Sequence, residues 1–316
     1  MIAVTLAVEL LLMTLSGVFI QKRRIVGDTF PQQLSSFVMR FLLPMLVFNS
    51  VANAIPFSAE LLNSCMSAVI LGFFVMLLSL CIGQLLSRFE RDGGMGRILR
   101  YSITFPHFSF MGIPVVDTLF GDVGTLYYVF FMVPVRLFYY ALSEPFMTPP
   151  ELKKQVSALD SIQRALLNPS MLAIAFGLVC WISGWQLPTV LNYVVVQCAS
   201  ICSPLALILC GMTLGKFELK KVFSLRYFKA PILRLTVMPG LFFLLTRPLS
   251  LLHVDSMLCS IVVIFTALPV ASMLSTYTMQ CDPSPENGFS AASVCVLSTL
   301  LSTLTIPVWY ILLQRL

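Results

Sequence analysis

Charged residues are scarce in this sequence. Only 11% of its 316 residues are Asp, Glu, Lys or Arg, whereas 58% are hydrophobic and the mean hydropathy is +0.91. A soluble chain carries roughly a quarter charged residues, so this composition excludes a soluble globular protein. Apolar runs near the ~20 residues that cross a bilayer recur throughout and leave no room for a sizeable soluble domain.

Motifs of enzymes and of ATP-driven motors are also missing. The sequence has no GxxxxGK[ST] P-loop, no GxSxG, no HExxH and no paired carboxylates at a plausible site, so we expect no catalytic residues and no enzyme. Its nine cysteines lie almost entirely in apolar runs. Cys198, Cys202 and Cys210 share helical spacing without His or carboxylate companions, so no metal site, disulfide or cofactor is expected.

The apolar runs predict an all-α membrane protein with ten transmembrane helices. These spans cover residues 2–20, 32–56, 61–87, 98–119, 123–147, 166–186, 189–215, 228–247, 256–279 and 286–314.

Basic residues predict the orientation of the spans. Groups of three, four, three and five follow spans one, three, five and seven, and together they are 15 of the 20 lysines and arginines. They are Lys22, Arg23, Arg24, Arg88, Arg91, Arg97, Arg100, Lys153, Lys154, Arg164, Lys216, Lys220, Lys221, Arg226 and Lys229. Because cytoplasmic loops carry the Lys/Arg excess, we expect a multi-pass protein of the cytoplasmic (inner or plasma) membrane with both termini outside. The net charge of +6 therefore requires no nucleic-acid partner.

Five spans precede the segment 148–165 and five follow it, which predicts two inverted repeats. An odd number of spans in each half gives the halves opposite orientations. We expect a first repeat at 1–147, a cytoplasmic linker at 148–165 and a second repeat at 166–316. Leu43–Leu46 and Ser203–Ala206 are weakly similar at an offset of 160 residues, which agrees with this division.

Two proline-containing segments interrupt spans at matching places in the two halves, Phe105–Pro114 in span four and Ala267–Ser272 in span nine. Proline removes a helical hydrogen bond, and broken helices in membranes are tolerated around polar sites. Paired breaks in two repeats indicate a transporter with its site at the bilayer midplane. We expect the second half-helices to start near Gly112 and Pro269 and to present N–H groups to an anion.

The breaks supply the candidate substrate site. Its predicted residues are His107, Ser109, Gly112, Pro114, Pro269, Ser272 and Ser275. The serine hydroxyls are expected either to donate to the substrate or to bond neighbouring helix carbonyls. His107 is favoured as a site residue because ionisable groups inside membranes are rare and usually functional.

Other polar residues lie inside the predicted spans. Asp117 and Arg136 are expected to form an ion pair between spans four and five, with neutralisation of the substrate as the alternative role of Arg136. Structural roles are expected for the rest: Arg40 and Arg234 through snorkelling, Asn49 and Asn53 through hydrogen bonds to neighbouring groups.

These motifs resemble those of the auxin efflux carrier family, in its compact bacterial type. Pro106–Pro114 is similar to the family's fourth-span motif Asn-x-x-x-x-Gly-x-Pro, and Ala267–Pro269 and Leu297–Pro307 are similar to its last two spans. The resemblance implies a scaffold of spans one, two, six and seven, often dimeric, and a moving transport unit of spans three to five and eight to ten. It also implies an anionic organic substrate, with malate and malonate permeases among bacterial members.

Two departures from the family pattern bear on the substrate. His107 stands where the family usually has Asn, and Asp117 stands where plant auxin carriers tend to have a basic residue. An acid there disfavours a nearby carboxylate, so auxin itself is not the expected substrate.

Two classes of function remain open at this point. The first is a secondary carrier of a small organic anion, acting by an elevator movement as a homodimer in the lipid bilayer. Uniport, proton coupling through His107 and sodium coupling are all compatible with it, and a sodium-coupled symporter of bile-acid-carrier type is the alternative carrier. The second class is a channel or receptor that keeps the fold without transporting.

Overall fold

The structure, a computed structural model, describes residues 2–54, 56–152, 163, 166–216, 222–251, 255–282 and 284–314. These residues are nearly all helical, and their only extended pairing is an isolated bridge. Six of their helices are long and apolar enough to cross a membrane, and two shorter helices, Pro169–Ser183 and Ser256–Ala267, are also apolar. This is the helix content that a multi-pass membrane protein requires.

In the described part of the chain, five helices precede residue 150. They are α1 (Ile2–Lys22), α2 (Phe30–Ala52), α3 (Ala59–Arg88), α4 (Gly93–Thr104) and α5 (Phe108–Met147). Asp92 caps α4 by accepting a hydrogen bond from the Gly94 N–H at 2.8 Å. Gly121, with φ 65° and ψ −159°, divides α5 into two helical parts. Glycine tolerates this positive φ, and the kink falls between the predicted fourth and fifth spans.

Six helices of the described residues follow the short 3₁₀ turn at Pro150–Leu152. They are α6 (Pro169–Ser183), α7 (Thr189–Gly215), α8 (Leu225–Ile232, the π-turn Leu233–Val237 and Met238–Leu251), α9 (Ser256–Ala267), α10 (Met273–Cys281) and α11 (Pro285–Leu313). Asn168 caps α6 through the Ser170 N–H at 3.0 Å, and Asp255 caps α9 through the Met257 N–H at 2.8 Å.

Helices α1, α2, α6 and α7 form a four-helix group, in which α1 packs against α7, and α2 packs against α6 and α7. The α1–α7 contact is close at two glycines. A Cβ atom at Gly17 would overlap the carbonyl oxygen of Ile208, and one at Gly211 would overlap that of Thr14. Small residues let membrane helices approach and gain van der Waals contact.

The remaining helices form a seven-helix group. Here α3 packs against α4 and α5, α8 against α9 and α11, and α10 against α11, while α9 contacts α5 across the halves. Gly72 of α3 lies against the Phe131 carbonyl of α5, where a Cβ would overlap it. The two halves of the chain therefore share one helical body in this group.

Ion pairs join helix ends at one end of the seven-helix group. The pairs are Arg97–Asp282 at 2.5 Å, Lys229–Glu90 at 2.5 Å, Arg226–Glu286 at 3.3 Å and Arg226–Asp92. Basic residues that follow the predicted third and seventh spans thus lie at the same end of the molecule. Six of the other basic residues lie outside the described residues: Lys153, Lys154, Arg164, Lys220, Lys221 and Arg315.

Candidate functional site

The two predicted helix breaks are present and contact each other. Between α4 and α5, and between α9 and α10, the chain is extended, and Pro106 and Val270 form an antiparallel bridge. The His107 N–H donates to the Pro269 carbonyl at 2.7 Å, and the Ala271 N–H donates to the Phe105 carbonyl at 3.2 Å. Each break therefore satisfies backbone groups that the other leaves free, as a low-dielectric interior requires.

The half-helices do not start where the sequence suggested. The predicted starts were near Gly112 and Pro269, but helical structure resumes at Phe108 and Met273. Pro106 is the proline inside the first break. Pro114 lies inside the continuous helix α5, directly after the π-turn Phe108–Gly112, and not in the break.

Arg234 holds the carboxyl ends of both broken helices. Its Nη1 donates to the Ile103 carbonyl of α4 at 2.6 Å. Its Nη2 and Nε donate to the Phe265 and Leu268 carbonyls, in and after α9, at 3.1 and 3.2 Å. The last carbonyls of a helix have no helical partner and carry its partial negative charge, so a guanidinium suits them.

The predicted snorkelling of Arg234 is wrong, since its side chain is 0% exposed. Sequence reasoning considered only its distance from the end of a span. The carbonyl partners belong to two other helices, and the π-turn Leu233–Val237 in which Arg234 lies was not predicted. No signal in the sequence around Arg234 identifies this contact.

A cavity of about 540 Å³ lies against the opposite, amino-terminal ends of the half-helices. We call it the first cavity. Its wall includes Ser109, Phe110, Ser272 and Met273. Among the hydrogen bonds of the described residues, none is donated by the N–H groups of these four. Free N–H groups and the positive ends of two helix dipoles therefore lie at this cavity, which is the arrangement that binds anions.

The wall of the first cavity comes from both helix groups. Met39, Arg40 and Leu43 of α2 and the start of α6 at Asn168 face the break residues and α5. Asn168 also donates to the Tyr140 hydroxyl at 2.5 Å. The wall contains two arginines, Arg40 and Arg136, and no Asp or Glu.

A second cavity of about 520 Å³ lies further along the same interface. The first cavity touches residues 39–43 of α2, and the second touches residues 46–54. Glu9, Asp117 and Asp122 contribute to the second cavity, and its wall contains no Lys or Arg. The two cavities thus lie at successive levels between the helix groups and carry opposite charge.

Asp117 and Arg136 are not brought together, contrary to the predicted ion pair. Asp117 accepts a hydrogen bond from the Thr125 hydroxyl at 3.0 Å. Both terminal nitrogens of Arg136 are buried without a hydrogen-bond partner among the described residues. Asp117 lies four residues before the Gly121 kink and Arg136 fifteen residues after it. At a rise of ~1.5 Å per residue, Asp117 lies about 6 Å and Arg136 about 22 Å along the helix from the kink, so the two side chains are not at matching positions.

His107 links the first break to the four-helix group. Its side chain is 6% exposed, lines the first cavity, and places Nε2 3.5 Å from the Cys210 Sγ of α7. The imidazole therefore lies where the broken helices meet the neighbouring group.

The other predicted site residues divide among several positions. Ser109 and Ser272 line the first cavity, whereas Ser275 lines smaller cavities near Cys210, and its hydroxyl donates to the Ser272 carbonyl at 3.0 Å. Pro114 lines the second cavity. Pro269 lies in the second break, where its carbonyl accepts a hydrogen bond from the His107 N–H. Gly112 lies against the Tyr128 hydroxyl, which a Cβ atom at this position would overlap.

Asn49 and Asn53 form hydrogen bonds within the four-helix group. The Asn53 amide donates to the Asn49 and Asn192 side-chain oxygens, each at 2.8 Å. Within the described part of the chain, no three His, Cys, Asp or Glu side chains are grouped to hold a metal ion.

Comparison with known proteins identifies related chains over this whole architecture. A family model described as "Membrane transport protein" matches residues 2–310. A protein of Methanothermobacter thermautotrophicus, described as an uncharacterized transporter, is 21% identical over 320 residues, which cover 96% of this chain and 96% of that protein. Both matches include the two breaks and the helices that flank the cavities.

Proposed function

Because this chain belongs to the membrane transport protein family, the family of the auxin efflux carriers, we propose that it is a secondary transporter that carries a small organic anion across the cytoplasmic membrane. The observation that carries this proposal is the direct pairing of the two breaks, with the Pro106–Val270 bridge beside the first cavity. Crossing half-helices of this kind form the substrate sites of several secondary transporters.

Charge around the site supports an anionic substrate. The first cavity has the free N–H groups of two half-helices and a buried guanidinium in its wall, and no carboxylate. Arg234 occupies the carbonyl ends of the same helices, which leaves their positive ends for the ligand. A sodium-coupled symporter of bile-acid-carrier type is less favoured. Its ion site would require a set of oxygen ligands beside the crossing, whereas the wall of the first cavity contains no carboxylate.

The packing of the helices supports ten spans in two inverted repeats, 1–147 and 166–316, joined by the linker 148–165. Equivalent pairs recur in the two halves: α1 with α7 corresponds to α6 with α2, and α3 with α4 corresponds to α8 with α9. Counting α4 with the part of α5 before Gly121 as span four, and α9 with α10 as span nine, gives five spans in each half.

The division into two helix groups supports an elevator movement. We propose that the four-helix group is the scaffold, with spans one, two, six and seven, and that it forms a homodimer. The seven-helix group then moves as the transport unit and exposes the crossing through the first or the second cavity in turn. Among the described residues, the His107–Cys210 and Tyr140–Asn168 contacts cross the interface near the site and would break in this movement.

Uptake by the purified chain in proteoliposomes tests the proposal. We would screen mono- and dicarboxylates, including acetate, malonate and malate, with and without sodium or pH gradients, against liposomes that lack the protein. Saturable uptake of at least one carboxylate, inhibited by unlabelled substrate, is the expected result. Uptake that never saturates would instead indicate a channel, and an absence of uptake and binding for all carboxylates would overturn the proposal.

A further inference from the structure

Two arginines of the seven-helix group are deeply buried, and they differ in their partners. Arg234 is 0% exposed and donates to three backbone carbonyls. Arg136 is 2% exposed, and both of its terminal nitrogens lack a hydrogen-bond partner in the described part of the chain. A buried charge without partners carries a large desolvation cost. The chain therefore keeps at Arg136 a cation whose two terminal nitrogens have no acceptor among the described residues.

Arg136 is positioned beside the substrate crossing rather than in a distant part of the bundle. It lies near the middle of the helical part of α5 that follows Gly121. The residue lines the first cavity together with Ser109, Phe110, Ser272 and Met273. The hydroxyls of Tyr140 and Tyr128 lie close enough to interact with its charge, and Tyr128 donates to the Phe108 carbonyl at 2.9 Å.

We infer that Arg136 binds a carboxylate of the transported anion, with the free N–H groups of the half-helices as its companions. This inference rests on the proposed function and adds the residue that recognises the charge of the substrate. A guanidinium matches the two oxygens of a carboxylate through paired N–H donors, whereas an ammonium contacts it as a point charge. The ligand class is thus an organic acid whose ionised carboxylate reaches α5 from the first cavity.

In the movement proposed for the seven-helix group, the contact between Arg136 and the carboxylate is maintained throughout. Arg136 belongs to α5 and travels with the crossing, while Arg40 belongs to α2 of the four-helix group and is exposed at the same cavity. The carboxylate consequently keeps its counter-charge while it crosses the membrane. Arg40 meets the anion only from the side of the first cavity.

Binding measurements on the purified full-length chain test the role of Arg136. Thermal-shift titration first selects the strongest ligand from acetate, malonate and malate. The same titration is then made with Arg136→Gln, Arg136→Lys and the control Arg88→Gln, which removes an exposed arginine at the end of α3, outside the first and second cavities. We expect Arg136→Gln to weaken binding about 10- to 150-fold, the range for a hydrogen bond to a charged group. Arg136→Lys should recover only part of the loss, and Arg88→Gln should bind as wild type does.

A ligand analogue separates direct contact from an indirect effect. Replacing a carboxylate of the selected acid with a carboxamide should weaken binding to wild type by a similar factor and should have little further effect in Arg136→Gln. Independent, multiplicative losses in this double-mutant cycle, or affinity of Arg136→Gln within about twofold of wild type, would overturn the inference. If Arg136→Gln fails to fold, Arg136→Lys takes its place in the cycle.

The two proposals fail in different ways. If wild type binds and transports a carboxylate but Arg136→Gln is unaffected, the assignment of Arg136 is wrong and the proposed function stands. If wild type neither binds nor transports any carboxylate, the proposed function itself is wrong.

Discussion

At the scale of single residues, Arg234 connects the two halves of the chain at their breaks. One guanidinium serves carbonyls of α4 and of the end of α9, which lie more than 160 residues apart in sequence. Without it, the Ile103 and Leu268 carbonyls would lose their side-chain donor, and the Phe265 carbonyl would keep only the Leu268 N–H at 3.4 Å. The side chain therefore matters for the geometry of the site although it lies on the side away from the first cavity.

Replacing Arg234 with Met should destabilise the protein by about 3 kcal/mol or more, because each unsatisfied buried acceptor costs roughly 1–3 kcal/mol. Arg234→Lys should recover little of this stability, since one ammonium group cannot replace the forked guanidinium donors that reach carbonyls of both helices. Thermal unfolding in detergent measures the effect, with Arg88→Met as the exposed control. An unfolding temperature within about 1 °C of wild type in Arg234→Met would contradict this account.

His107 is the second residue whose replacement is informative. If it contacts the substrate carboxylate, His107→Ala should weaken binding by about 1.5–3 kcal/mol, the range for a hydrogen bond involving a charged group. His107→Asn should retain much of the affinity, because the amide can still donate and matches the usual residue of the family. Equilibrium binding of the identified substrate gives the comparison.

The Cys210 contact provides a control for His107. Cys210→Ala removes the sulfur that lies 3.5 Å from Nε2 and keeps the imidazole at the cavity. Affinity should then stay close to that of wild type. Unchanged affinity in His107→Ala would assign the residue to packing and leave Arg136 and the backbone N–H groups as the anion contacts.

At the scale of helices, Pro106 and Pro269 determine where α4 and α9 are interrupted. Replacing either with Ala restores a backbone donor and lets the helix extend into the gap. The Pro106–Val270 bridge and the free N–H groups at the cavity depend on that gap. Uptake normalised to expression should therefore fall strongly in Pro106→Ala and Pro269→Ala.

Pro114→Ala is the matched comparison for these variants, with a smaller expected effect. Pro114 lies inside α5, after helical structure has resumed at Phe108, so an N–H added there does not extend α4 or α9 into the gap. Transport by Pro106→Ala and Pro269→Ala at the wild-type level would show that the crossing is not the site.

The helix breaks were accessible to sequence reasoning because the effect of proline is local. Their exact ends were not, since the π-turn Phe108–Gly112 and the pairing of residues 105–107 with 269–271 depend on contacts between the halves. The same limit explains Asp117 and Arg136: adjacency of their helices was predictable, whereas the depth of each residue depends on the position of the Gly121 kink.

At the scale of the whole molecule, the orientation in the membrane is the next quantity to measure. We expect both termini outside and the linker 148–165 in the cytoplasm, since the basic loops follow odd-numbered spans. Cysteines introduced singly at Gln155, outside the described residues, and at Gln186, exposed after α6, would be labelled in a Cys-depleted background. In sealed cells an impermeant reagent should modify position 186 alone. Modification at position 155 without modification at position 186 would show that the chain has the opposite orientation in the membrane.

The bridge between Pro106 and Val270 also constrains how this protein is made. Residue 106 enters the membrane before its partner exists, because 164 residues separate the two positions. At a synthesis rate of roughly 5–20 residues per second, the wait is about 8–30 s. During that interval the first break has no strand to pair with in the lipid phase. The nascent first half must therefore remain beside the insertion machinery, or beside water, until the second half arrives.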